Sequence, residues 1–481
     1  MINVLFIDRN DPHTIQWIRG FSEYVNPLEI KVFCISDREP SFKNDALEII
    51  NISDIPQQLT IDELQNKFDF SVHKTLVTER SFFDYSSFRT NQCYSKLSLC
   101  EIESKILPYL NAYDYVIREK VELIIDSLAD NFLTSICEEI AEHYNVRMIE
   151  KMLYYWWSDG FLPIDKSDQT SSIIDENYRR YYSCPDEIDH NLIRETFESQ
   201  TISWQYDKPS YVKVLLNRIA IVKNRNKSYE PISIKNWVQR RGSRAVSKLL
   251  YAIRVKKHHA PVVGEKYIYF PLHVAPEAVL LGSAPEFADQ FSLIKNISMN
   301  LPWGVKLYVK DHPAQQIGLM LNYDFYKKLL TLPNVRYFPP SVRSESLIEP
   351  QECLAVAVIN GTVGLEAAMK QKPVYVFGNA VYKAADCFIK PLSYKEFSSH
   401  FLKVVKGEFK FNQKALDSML MALISSVYRC SVDFGQIKTW QESSFASYPM
   451  HNDYIKSQLW RGSDALKPVF LPEDKKPKVE C

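Results

Sequence analysis

Between Tyr267 and Asn379 short apolar runs alternate with stretches of helical periodicity, and this alternation constrains the fold more than any other feature of the chain. Tyr267 to Phe270, Val305 to Lys310, Val335 to Phe338, Leu354 to Ile359 and Pro373 to Phe377 read as strands. Glu286 to Leu301, Tyr323 to Leu332 and Gly364 to Lys370 read as the helices between them. Strands and helices alternating at this spacing imply a parallel sheet built of βαβ units. Two polar loops follow directly on strand ends: Lys310-Asp311-His312-Pro313 and Asn360-Gly361-Thr362-Val363-Gly364. Open parallel sheets bind ligands at the carboxyl ends of their strands, so both are candidate binding loops.

The first ~160 residues show the same alternation, in a chain long enough at 481 residues for two cores. Ile2 to Ile7, Leu28 to Ile35, Leu123 to Ile125 and Val146 to Ile149 read as strands. Helices are expected after Pro12, from Tyr113 to Glu122 and from Asn131 to Tyr144, with Ile52 to Tyr94 unplaced. No Gly-x-Gly-x-x-Gly follows the first strand, which points to an acceptor-binding half rather than a dinucleotide site. The fold class expected is α/β, with two Rossmann-like domains whose parallel sheets face each other across a cleft. The boundaries expected are 1–165 for the N-terminal domain, 166–262 for a polar then basic helical linker, 263–392 for the nucleotide-sugar-binding domain, and 393–481 for C-terminal helices and tail.

Equal numbers of basic and acidic residues, 58 each, give no global field to recruit nucleic acid. Charge is concentrated locally instead. Residues 213–257 hold thirteen Lys or Arg against one acidic residue, Glu230. Within them Ile234 to Lys257 has apolar positions at helical spacing with Arg240, Arg241, Arg244 and Lys248 between, a basic amphipathic pattern. It is a candidate for peripheral contact with anionic membrane, although such a run is ordinarily a solvated face. The nine cysteines are scattered and form no Cys-x-x-Cys pair, which fits a reducing compartment. Neither a secretory signal nor a membrane-spanning run is evident, so a cytoplasmic location is expected, peripheral at the inner membrane face if the basic segment binds lipid.

The residues suited to chemistry lie at strand ends. Gly361 and Gly364 let backbone approach a phosphate, the Thr362 hydroxyl adds a donor, and the helix beginning there directs partial positive charge outward. Asn360 sits at the same turn, and Glu366 could accept from a ribose. The bland alternative is a capped turn. His312, with Lys310 before it and Pro313 after it, can donate to a phosphate oxygen or protonate a departing phosphate, since imidazole titrates near neutral pH. A loop histidine that caps its neighbours is the competing reading. His273 and Glu277 follow the strand Tyr267 to Phe270; the carboxylate could support a cationic anomeric carbon, or simply complement a helix dipole. Asp126 follows Leu123 to Ile125, where a carboxylate could deprotonate an acceptor hydroxyl or cap the next helix. His258-His259 lacks a third ligand, so no metal site is expected.

Together, Tyr269-Phe270-Pro271-Leu272-His273 with Pro276-Glu277, Leu307 to Pro313, Asn360 to Ala367 and Lys372 to Gly378 resemble the bacterial capsular polysaccharide biosynthesis family. The resemblance covers about Tyr267 to Tyr382 and lies in the order and spacing of motifs. Ala275 stands where that family often has Gln. Members include Kdo transferases of GT-B arrangement that use CMP-activated Kdo, and the His-Pro pair also resembles that of bacterial sialyltransferases. The resemblance implies that His312 and Thr362 contact the donor phosphate, and Glu366 or Gly361 the cytidine. The function expected is transfer of a 3-deoxy-ulosonic acid, Kdo or a nonulosonate, from its CMP form to a capsule or other surface glycan or glycolipid. No cofactor and no strictly required metal are expected. A UDP-sugar GT-B transferase or sugar 2-epimerase-like enzyme, and a non-catalytic capsule assembly or export factor, are the alternatives.

Overall fold

A computed structural model describes residues 2–7, 30–36, 47–73, 98–127, 132–152, 160–165, 169, 171–197, 242, 246, 249–253, 255, 261–274, 278–313 and 323–429. Their elements fall into two compact units. No helix among the described residues is long and apolar enough to cross a membrane.

The first unit is built on a seven-stranded sheet. Its strands are β1 (Ile2–Ile7), β2 (Ile30–Ser36), β3 (Leu47–Asn51), β4 (Leu123–Ser127), β5 (Arg147–Met152), β6 (Gly160–Ile164) and, from the far end of the chain, Tyr428–Arg429. The spatial order is the late strand, then β6-β5-β4-β1-β2-β3. β1 to β5 pair in parallel, whereas β6 and Tyr428–Arg429 join antiparallel at one edge. The runs read as strands are strands because both faces are covered: Val4 to Ile7, Val32 to Ile35 and Leu123 to Ile125 are all buried.

Three features of this unit differ from the sequence reading. The helix expected from Tyr113 starts at Leu99 and ends at Lys120, with a reciprocal Ser98–Glu101 capping box and Pro108 inside. A proline at that position reads as a break in sequence, and only the packing of Ile102, Ile106, Tyr109, Leu110 and Tyr113 carries the helix through it. The helix Ile61–Phe68 occupies part of the unplaced stretch, and β3, just before that stretch, is a strand the periodicity did not mark. Ser172–Ser183 and His190–Phe197, placed by sequence between the domains, are helices of the first unit. They bury Ile173, Ile174, Tyr178 and Tyr181 and bond to the end of the helix Gln413–Ser426, through Tyr181 to Ser425 Oγ at 2.8 Å and Asn177 to Ser426 Oγ at 2.8 Å.

The second unit has a six-stranded sheet, all parallel. Numbering continues with β7 (Tyr267–Pro271), β8 (Lys306–Lys310), β9 (Val335–Phe338), β10 (Cys353–Val358), β11 (Val374–Val376) and β12 (Phe388–Ile389), in spatial order β12-β11-β10-β7-β8-β9. Successive residues of a strand face opposite ways. Ile268, Phe270, Leu307, Val309, Ala355, Ala357 and Ile359 therefore share one core with the helices Gln290–Met299, Tyr323–Leu329 and Tyr394–Val405. On the other face Tyr267 stacks on Tyr308 with ring centroids 3.8 Å apart, and the Tyr269 hydroxyl donates to Ser344 Oγ at 3.0 Å.

Candidate functional site

The chain runs from β7 outward through β8 to β9, then returns to place β10 on the other side of β7. The loops leaving β7 and β10 consequently diverge, which opens a crevice at their carboxyl ends. His273 follows β7 and Gly361 follows β10. The His273 ring atoms Cε1 and Nε2 both lie 3.5 Å from where a Cβ on Gly361 would stand. Two residues singled out separately in the sequence thus meet at the reversal point.

Each loop is fixed from behind. Gln290 accepts from His273 N–H at 2.8 Å and donates to the His273 carbonyl at 3.2 Å. Asn360 is buried and donates to Ser283 Oγ at 2.5 Å. The Tyr382 hydroxyl donates to the Gly361 carbonyl at 2.5 Å. Behind it the short helix Val363–Met369 presses on β10: a Cβ on Gly364 would stand 2.3 Å from Tyr382 Oη and 3.2 Å from Val358 Cγ2. Gly364 is therefore required for packing. It does not serve as an open edge for a ligand, as the sequence reading allowed. Thr362 stands at the N-cap position of that helix with helical backbone angles and makes no side-chain capping bond.

Strand alternation separates Lys310 from Asp311. Asp311 continues the Leu307–Val309 row and is buried on the core side, where its Oδ2 accepts from Tyr326 at 2.7 Å and Tyr337 at 2.5 Å. Burial pushes its carboxyl up to about 6, against the opposing hydrogen bonds of Tyr337 and Tyr326 and the charge of Lys310. Lys310, only 2 % exposed, continues the Tyr308 row, and its Nζ donates to the Asp311 carbonyl at 3.0 Å. Burial lowers its pKa to about 8, with Asp311 and Glu366 acting the other way. Lys310 is thus a cation held near Glu366 and still protonated at neutral pH. It is more enclosed than a loop lysine free to swing onto a phosphate.

His312 and Pro313 are half-buried just past β8, and Glu366 is half-buried in the helix after Gly364. Glu277 lies outside the described residues. So do Ala275, Pro276, His258 and His259. Asp126 belongs to the first unit, at the end of β4, where it is buried and accepts from Thr134 Oγ1 at 2.8 Å. Gln290, Ser283 and Tyr382 escaped the sequence reading because each acts across a long stretch of chain, with no local motif to mark it. Most of 213–257 is likewise outside the described residues.

Residues 202–387 match the family described as capsule polysaccharide biosynthesis protein. No curated protein sequence matches the chain. Among solved structures, the β-Kdo 2,7-transferase KpsC of Thermosulfurimonas dismutans is 14 % identical, over 68 % of this chain and 88 % of that one, with a TM-score of 0.31. Anabaena HepE in complex with UDP and glucose is 10 % identical over 95 % and 99 %, with a TM-score of 0.27. A UDP-N-acetylglucosamine 2-epimerase from Listeria monocytogenes, so described as putative, is 14 % identical over 87 % and 90 %, with a TM-score of 0.25.

Proposed function

We propose, from the match of residues 202–387 to the capsule polysaccharide biosynthesis family, that this protein is a glycosyltransferase that moves a 3-deoxy-ulosonic acid from its CMP form to a surface glycan or glycolipid. The observation that carries the reading is the meeting of His273 and Gly361 at the reversal point of the second sheet. An imidazole donor beside a residue with no side chain gives a phosphate both a hydrogen bond and room to approach backbone. Lys310 supplies a fixed positive charge nearby, and His312 follows the neighbouring strand.

In this reading the bond between the anomeric carbon and the phosphate oxygen breaks, and CMP leaves with the electron pair. The acceptor hydroxyl oxygen forms the new bond and loses its proton to a general base. Donors positioned where phosphate charge develops lower the barrier. A strictly required divalent metal has no part in this scheme.

Calorimetric titration of CMP and UDP into the protein, repeated with His312→Ala and His273→Ala, tests the proposal. CMP should bind more tightly than UDP, and either variant should weaken it. Tighter UDP binding, or two unaltered variants, would refute the donor assignment.

A further inference from the structure

The helical stretch within Ile234 to Lys257 has two faces, and the second unit uses one of them. Gly242, Val246 and 249–253 are helical among its described residues. Val255 is buried in the core of the second unit, and Tyr251 packs against that core. The Tyr251 ring centroid lies 5.0 Å from that of Tyr326, and its hydroxyl is 2.6 Å from that of Tyr337. These contacts fasten the helix by one side.

Val246, Leu249 and Ile253 are 57, 61 and 55 % exposed. Their spacing of three and four residues places them on one helix face, so they form a continuous apolar stripe turned to solvent. The surrounding sequence carries Arg240, Arg241, Arg244, Lys248, Arg254, Lys256 and Lys257, and no acidic residue occurs from Pro231 to Lys257. A two-fold contact with a second copy would set these cations against their own kind. A surface with anionic headgroups and an apolar interior matches both features at once.

We propose that this helix face docks the protein on a bilayer containing anionic lipid, with Val246, Leu249 and Ile253 entering the headgroup boundary and the net positive charge of the segment drawing it to lipid phosphates. The proposal stands on the helix alone and does not depend on which nucleotide the second unit binds. It also gives the one-sided charge of this segment a use that phosphate binding at the strand ends leaves unexplained.

The test mixes full-length protein with vesicles of phosphatidylcholine, with or without phosphatidylglycerol as about a third of the lipid, and measures the fraction that co-floats. Anionic vesicles should bind at least about tenfold more protein, and raising the salt should reverse the gain through screening. The double variant Leu249→Glu, Ile253→Glu should lower binding about tenfold with melting temperature and CMP affinity unchanged. If that variant is unstable, Lys256→Gln with Lys257→Gln serves, three and four residues beyond Ile253 in sequence, and it too must weaken binding to anionic vesicles. Equal binding to both vesicle types, no binding, or undiminished binding by the variants would overturn the proposal. A wild-type dimer that the stripe variant converts to monomer, without lipid binding, would assign the stripe to a second copy and overturn it as well.

Discussion

The two sheets reverse their strand order in the same way, between β1 and β4 in the first unit and between β7 and β10 in the second, but they place opposite chemistry there. At the first reversal Asp126 is buried, bonded to Thr134 and in register with the equally buried Glu150 of the next strand. At the second, His273 lies against Gly361 and Lys310 ends the adjoining strand. A carboxylate-lined end repels a phosphate, whereas an imidazole, a lysine and a bare glycine receive one. Topology alone therefore marks two crevices, and on the proposed reading side-chain charge decides which of them takes an anion.

The largest expected effect concerns the charge buried in the second unit. The Asp311 carboxyl is raised in the folded chain from an ordinary 3.8 to about 6 by burial, so the folded state holds the proton more tightly than the unfolded one. Wild type should accordingly lose stability relative to Asp311→Asn as pH rises from about 4 to about 6, by up to about 3 kcal/mol, and stay level above. Urea unfolding across that range reads it out, and a flat difference would show that the tyrosine hydroxyls fully offset burial.

Ligand binding separates the two reversals next. Lys310→Met should reduce CMP affinity by about tenfold, through the loss of a fixed positive charge nearby rather than of a direct contact, while Asp126→Asn stays within about twofold. The reverse pattern would move the donor to the first unit. Gly364→Ala sets a methyl against Tyr382 and Val358 and should cost about 1–3 kcal/mol of stability by denaturant midpoint. A neutral outcome would mean the helix after Gly361 can retreat from β10. The smallest effect belongs to the first unit, where Thr134→Val should cost about 1 kcal/mol for the lost bond to Asp126 and leave nucleotide binding alone.

Sequence periodicity located β7 to β11 to within a residue or two because most of their residues are buried on both faces and bounded by polar loops. It also located His273, Asn360 and Gly361 at strand ends, although only the crossing of the chain back to β10 brings them together. What stayed hidden depends on contacts distant in sequence. The helix from Leu99 survives Pro108 through packing, and Ser172–Phe197 is polar enough to resemble a linker until its buried side chains, Ile173, Ile174, Tyr178, Tyr181, Ile193 and Phe197 among them, meet the first unit. Lys310 and Asp311 read as one loop motif, yet the alternation that made Leu307 and Val309 legible sends them to opposite faces.

A structure of the CMP complex tests the central claim most directly. The account predicts the phosphate within hydrogen-bond reach of His273, over Gly361, at the carboxyl ends of β7 and β10. Phosphate density at the end of β4 beside Asp126, with His273 still packed on Gly361 and no ligand there, would contradict it.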